Sequence, residues 1–246
     1  MPVFGDRPFS DIRPILIKKF IAKLIGHKKP NGEKLSGKRI QNINIPLRAI
    51  VYDAIAEYGW VDFPDPFFNL KLPGIRKRSV SPFSYNEWQT FKGFIPNWYL
   101  NYFEFAVLTG LRPSEQVALK WKAINDEYIH IGLSRVRNQE KVDLKNEYSR
   151  RDIELQQPMR VILDRQREQV EEIESPYVFL TPKGTPIIQD RLREQWAKAM
   201  KASGLPYRRM YETRHTFASW ALAAGESSGW VARTLGHADT SMVYRH

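Results

Sequence analysis

Residues Thr109–Trp121 read TGLRPSEQVALKW, and the rest of the chain is best understood outward from them. Gly110 is placed to end one helix in the left-handed conformation, and Pro113 suits the first position of the next, where its missing N–H costs nothing. Arg112 then falls near an N-cap, a position that favours Ser, Thr or Asp and where the helix dipole repels a cation. An anion seated at that helix start, shared between the guanidinium and the free N–H groups, makes Arg112 the better choice there. Glu115, one turn along, is placed to steady the guanidinium. The alternative is an exposed arginine that simply reaches solvent.

Toward the C-terminus, YETRHTFASWALAAG (Tyr211 to Gly225) puts Tyr211, Arg214 and His215 at i, i+3, i+4 on one helix face. Phe217, Ala218, Ala221 and Leu222 form its buried stripe. The polar trio suits an anion pocket or a polar edge. In LGH, Leu235 to His237, Gly236 is a C-cap and His237 projects from a sharp corner; a lone histidine in a turn is more often structural than catalytic. Further helices are expected over Trp98–Thr109, Met159–Ile173, Gln189–Ser203, Tyr211–Ala224 and Ser228–Leu235. Short alternating runs at Glu127–Ile131, Leu133–Val136 and Arg151–Leu155 predict a small sheet.

Toward the N-terminus, Ser84 and Glu87 form a capping box that opens this domain. Before it, Phe63 to Phe83 is proline-rich and carries Arg76, Lys77 and Arg78 without helical period, as a linker would. Ser10 and Asp11 are placed to cap a helix with the stripe Ile17, Phe20, Ile21, Leu24. A second helix is expected from Ser36 to Tyr58, with Ile40, Ile43, Leu47, Ile50 and Ala54 on one face, a kink or break at Pro46, and a stop at Gly59. The fold class is therefore mainly α with a small β-sheet (α+β). The expected domains are helical residues 1–72, a basic linker over 73–83, and a second domain over 84–246.

With 246 residues, 42% of them hydrophobic, the chain can bury a sizeable core. It has no cysteine, which excludes disulfides and thiolate metal sites and makes a reducing cytosol the simplest location. No apolar run approaches the roughly 18 residues of a membrane span, and no signal peptide opens the chain. The net charge is +11, and it is lopsided: 15 basic and 7 acidic residues through Phe83, against 23 and 20 after it. A basic half favours a polyanion, most commonly nucleic acid; solubility and attraction to anionic lipid are the alternatives.

Taken in order, TGLRPSEQVALKW, LKNEYSRRDIEL, YETRHTFAS and LGHADTSM resemble the tyrosine recombinases, the family of phage integrases. The resemblance covers Ser84 onward, and the Ser10 to Lys71 region is similar to the later helices of that family's helical core-binding domain. It implies a site-specific DNA recombinase that breaks and rejoins DNA through a 3′-phosphotyrosine, without metal, ATP or other cofactor. Arg112 and Arg214 are then the phosphate clamps, since planar guanidiniums suit bidentate contact. Lys145 is the general acid to the leaving 5′-oxygen and His237 a donor to the phosphate. Tyr211 stands where the family most often has histidine; a phenol donates a hydrogen bond but is no base near neutral pH. His215 looks like a packing or orienting residue.

The resemblance also implies double-stranded DNA as partner, contacted by Lys38, Arg39, Arg76, Lys77 and Arg78, and self-association into a tetramer on DNA. It places the protein in a bacterial or phage-encoded, nucleoid-associated setting. The family's nucleophile lies about nine or ten residues past the position of His237, at His246 or beyond it, while Tyr244 falls about one helical turn short. The chain is accordingly expected to stop before its attacking tyrosine, to lack the leading helices of the core-binding domain, and to be inactive in cleavage as it stands. A recombinase-derived DNA-binding regulator without chemistry is the rival expectation.

Overall fold

The computed structural model describes residues 3–5, 7–60, 62–75, 79–137, 139–142 and 147–241. Arg76, Lys77, Arg78, Lys145, Tyr244 and His246 lie outside them. The chain divides into two compact units, Met1–Arg78 and Ser79–His246.

In the first unit, α1 (Pro14–Gly26) and α2 (Gly37–Glu57) pack through Ile17, Ile21, Ile40 and Val51, closed by Ile12 and Phe67. Ser10 and Asp11 do not cap α1. They lie in a single 3-10 turn, Phe9–Asp11, and α1 starts at Pro14, whose ring restricts Arg13 to extended backbone. Ser36 does cap α2, its hydroxyl accepting from Arg39 N at 3.2 Å. Pro46 leaves α2 a single helix. It sits on the solvent side, as does Asn42, whose carbonyl it deprives of a donor, so water can satisfy that group. The buried face of α2 runs through Ile40, Asn44, Leu47, Val51 and Ile55, while Ile50 is exposed. After α2 the chain doubles back: Gln41 donates to Pro73 O at 3.0 Å, and a Cβ on Gly37 would fall 2.2 Å from Gly74 O.

The second unit is built on aromatic rings. Phe83, Trp88, Phe91, Phe103 and Trp196 interlock, with Phe91 and Trp196 at 4.6 Å in edge-to-face contact. Trp196 N–H satisfies itself on Arg208 O at 2.7 Å. Phe83 precedes α3 (Tyr85–Lys92), and the others come from α3, α4 (Asn97–Thr109) and α7 (Gln189–Ser203). The one-turn α5 (Pro113–Gln116) follows α4, and α6 (Gln157–Gln169), α8 (Glu212–Ala223) and α9 (Ser228–Leu235) complete the helices described. The capping box is present: Ser84 Oγ accepts from Glu87 N, and Glu87 accepts from Ser84 N.

The strands make two antiparallel pairs instead of one small sheet. β1 (Tyr128–Ile131) pairs with β4 (Arg151–Glu154), with Ile129 opposite Ile153 and Ile131 opposite Arg151. β2 (Ser134–Val136) pairs with β3 (Gln139–Lys141), an exposed polar strand with no alternation to announce it. Among the described residues no helix is long and apolar enough to cross a membrane.

The boundary between units falls inside the segment expected to be a linker. Its later part is strapped onto α8: Ser81 N donates to Glu212, Phe83 N to Thr216 Oγ1, and Trp220 N–H to Phe83 O. Arg208 closes the strap, donating to Ser81 O and to Glu87 Oε1 while its guanidinium lies 4.6 Å over the Phe83 ring.

Gly110 caps α4 at φ +62, and a Cβ there would lie 2.6 Å from both Phe217 and Leu235. Gly204 caps α7 at φ +68 with open space around it. Gly204→Ala should cost only the left-handed penalty, about 1–2 kcal/mol. Gly110→Ala should cost a further 1–3 kcal/mol or so from overpacking; urea unfolding of the two variants measures the difference.

Candidate active site

The C-terminal end of α9 organises the site. A helix leaves its last carbonyls without intrahelical partners and concentrates negative potential there. Three consecutive carbonyls, of Thr234, Leu235 and Gly236, each accept from a different arginine: Arg151 Nε, Arg214 Nη2 and Arg112 Nη2 respectively. The arginines come from β4, α8 and the residue preceding α5. Gly236, at φ +65, turns the chain so that these carbonyls fan toward the three side chains.

Arg112 is the N-cap residue of α5, in extended backbone ahead of Pro113. Its Nη1 donates to Glu115 Oε1 at 2.6 Å and its Nη2 to Gly236 O at 3.1 Å. Glu115 also accepts from Arg112 N at 3.0 Å, taking one of the free N–H groups of the helix start. The expected steadying role of Glu115 is thus present in the geometry. Arg214 is 2% exposed; it donates to Gly110 O at 2.7 Å, to Leu235 O, and to His237 Nε2 at 2.9 Å. Because a guanidinium only donates, His237 Nε2 accepts and the ring is the neutral Nδ1–H tautomer.

Burial, joined by the like charges of Arg112 and Arg151, pushes Arg214 down to about 10, while Tyr211 and Glu115 pull the other way. It stays charged at neutral pH, and an arriving anion relieves the repulsion. Burial raises the Glu115 carboxyl, but Arg151 and then Arg112, by charge and hydrogen bonding, bring it below its ordinary value.

Arg112, Arg214 and His237 therefore come together around one corner. Tyr211 lies just ahead of α8, 42% exposed, with its ring 5.4 Å edge-on from His215. Leu222, expected in the buried stripe of α8, is 37% exposed; Phe217, Ala218 and Ala221 pack against α9 without it. Lys38 and Arg39 are exposed on the first turn of α2, in the other unit. Beside Glu115 opens a cavity of about 630 Å³ bordered by Lys120, Lys122, His130 and Arg150.

Arg151 escaped the sequence reading. Its guanidinium is 7% exposed and engages both oxygens of Glu115, at 2.9 and 3.4 Å, as well as Ser149 O and Thr234 O. A signal existed: in the alternation Arg151–Leu155, Arg151 shares the inward face with Ile153 and Leu155, and a buried arginine needs a carboxylate.

Clustered guanidiniums with spare donors, held on backbone carbonyls, are chemically suited to an oxyanion; among the described residues no group of three or more His, Cys, Asp or Glu side chains able to hold a metal is found. Residues 86–246 match the phage integrase family, and the chain belongs to that family of tyrosine recombinases. Over 96% of its length it is 26% identical to a XerC-like tyrosine recombinase of Caldanaerobacter subterraneus subsp. tengcongensis, of which it spans 68%. Over 58% of its length it is 30% identical to the prophage integrase IntR of Escherichia coli K12, of which it spans 41%. Its fold matches the Tn1549 transposon integrase solved with a circular intermediate DNA (TM-score 0.80, 19% identity, 99% of this chain and 84% of that one). It also matches the lambda integrase dimer solved on a COC′ core site (TM-score 0.75, 18% identity, 99% and 82%).

The depressed Glu115 carboxyl gives a pH prediction. A carboxyl whose folded value lies below its unfolded one contributes stability that is full above the ordinary carboxylate range and is lost as pH falls through the folded value. Urea midpoints should therefore fall with acidification below about pH 4.5, and Glu115→Gln, although less stable at pH 7, should show a shallower acid slope.

Proposed function

We propose that the chain is a site-specific DNA recombinase whose Arg112 and Arg214 clamp one scissile phosphate. The observation that supports this most is the anchoring of both guanidiniums on adjacent carbonyls, Leu235 and Gly236, in contact with or next to His237. A tyrosine oxygen attacks phosphorus in line as its phenolic proton passes to solvent. The P–O5′ bond breaks, its electron pair leaves with the 5′-oxygen, and Lys145 supplies the proton. The 3′-phosphotyrosine formed keeps the bond energy for rejoining. During attack, charge grows on the non-bridging oxygens, where the spare N–H donors of Arg112 and Arg214 meet it beside His237. Preorganised donors of this kind contribute about 3–4 kcal/mol each. Tyr211 adds a phenolic donor at the rim of the same site.

Duplex DNA is the proposed partner, with the basic Met1–Arg78 unit as a core-site binder using Lys38, Arg39 and Arg76 to Arg78. A lambda integrase with the same fold has been solved as a tetramer on a Holliday junction, and a tetramer on DNA is proposed here too. The cytoplasm, on the nucleoid, is the compartment this implies. The rival is a DNA-binding regulator without chemistry, favoured by tyrosine at position 211 where the family most often has histidine.

A nicked suicide substrate separates the two. The protein is prepared in a form running through the tyrosine position at or beyond His246. A covalent protein–DNA adduct is expected, reduced about 10²–10³-fold by Arg112→Ala or Arg214→Ala, with duplex binding weakened only modestly. Tight duplex binding with no adduct in any form would establish the regulator.

A further inference from the structure

Resting on the recombinase reading, we infer that Arg151 is a positioning residue for the phosphate clamp: it takes up the charge of Glu115 and braces the α9 corner, leaving Arg112 charged and oriented for phosphate. Arg151 itself is no clamp. Its Nε and both Nη nitrogens are engaged on Thr234 O, Ser149 O and the Glu115 carboxylate, and its side chain is 7% exposed against 29% for Arg112.

Consider Glu115 with Arg112 alone. A buried carboxylate 2.6 Å from one guanidinium cancels most of its field in a medium that screens poorly. An incoming phosphate would then meet a near-neutral pair. With Arg151 holding the same carboxylate by its planar fork, the group of Arg112, Arg151, Arg214 and Glu115 carries three positive charges and one negative. The surplus lies on the two arginines that retain spare donors. The order of influence on Glu115 agrees, since after burial Arg151 acts on its carboxyl more strongly than Arg112.

The second half of the role is steric. A Cβ on Gly236 would fall 3.0 Å from Arg151 Nη1 and 2.9 Å from Tyr148 O. Glycine is thus required twice over, for the left-handed turn and for the approach of Arg151. Arg112 holds the carbonyl of that same glycine, so Arg151 and Arg112 grip one corner from two sides. His237 follows directly.

The test uses the full chain and orthovanadate, an anion able to take the trigonal-bipyramidal shape of the reacting phosphorus, followed by ⁵¹V NMR titration well below each variant's unfolding midpoint. Arg151→Gln should weaken vanadate binding about tenfold or more, as expected on losing a charge-assisted interaction, while duplex binding persists. Adding Glu115→Gln should restore affinity to within about threefold of the unsubstituted chain, because no carboxylate then needs compensation. Arg151→Lys, charged but unable to fork, should fall between. A purely structural arginine would leave the affinity of the folded fraction unchanged, and that result overturns the inference. So does a double variant binding no better than Arg151→Gln alone. Should Arg151→Gln not fold, the double variant decides alone: affinity near the unsubstituted value supports the role and a tenfold or larger loss, roughly one charge-assisted bond, overturns it. An unsubstituted chain that binds neither vanadate nor duplex defeats the recombinase reading itself.

Discussion

Everything at the site depends on a helix end that is satisfied by side chains instead of water. The last carbonyls of α9 would ordinarily be left to solvent, and here three in succession accept from Arg151, Arg214 and Arg112. This solves two problems together. The helix end gains donors, and three cations that would repel one another gain a shared negative pole with Glu115 as counterion. Bringing arginines from three elements onto one turn also fixes β4, α8 and α5 relative to each other. Moving any one of them breaks a bond at the corner.

The cost of that assembly is visible in Arg214. A guanidinium 2% exposed, lowered to about 10 by burial and by its positive neighbours, is held where its charge is penalised. Its three acceptors offset the cost without removing it. A surplus of buried positive charge of this kind is relieved by any negative charge brought near it.

Much of this was legible in the sequence where local chemistry decides structure. The bounds of α7 and α9 and the Ser84 cap follow from caps and periodicity alone, and Gly110 and Gly236 end their helices left-handed as glycine permits. Legibility failed where a distant partner decides. In α2 two overlapping apolar stripes fit the sequence, and packing against α1 and Phe67 buries Val51 and leaves Ile50 outside. β3 is polar on both faces and exists only through its pairing with β2. At the site, Arg112 stands out locally, as a cation at a helix start, whereas Arg214 and His237 carry only weak local signals and are singled out through the family resemblance. Arg151 is not. Its importance comes from a carboxylate 36 positions away in sequence, which no local pattern reveals.

The strap that joins Ser81 and Phe83 to α8 has a mechanical consequence. Glu212, Thr216 and Trp220 follow one another at four-residue steps, a single stripe of the helix, and all three bond the incoming chain. Arg214 leaves the same rigid rod elsewhere around its circumference, into the corner of α9. A helix is stiff about its own axis, so the segment from Ser81 to Phe83 and the Arg214 guanidinium are held in one fixed angular register on α8. The segment that enters this unit and the most deeply buried cation among the described residues are thus indexed to a single rod.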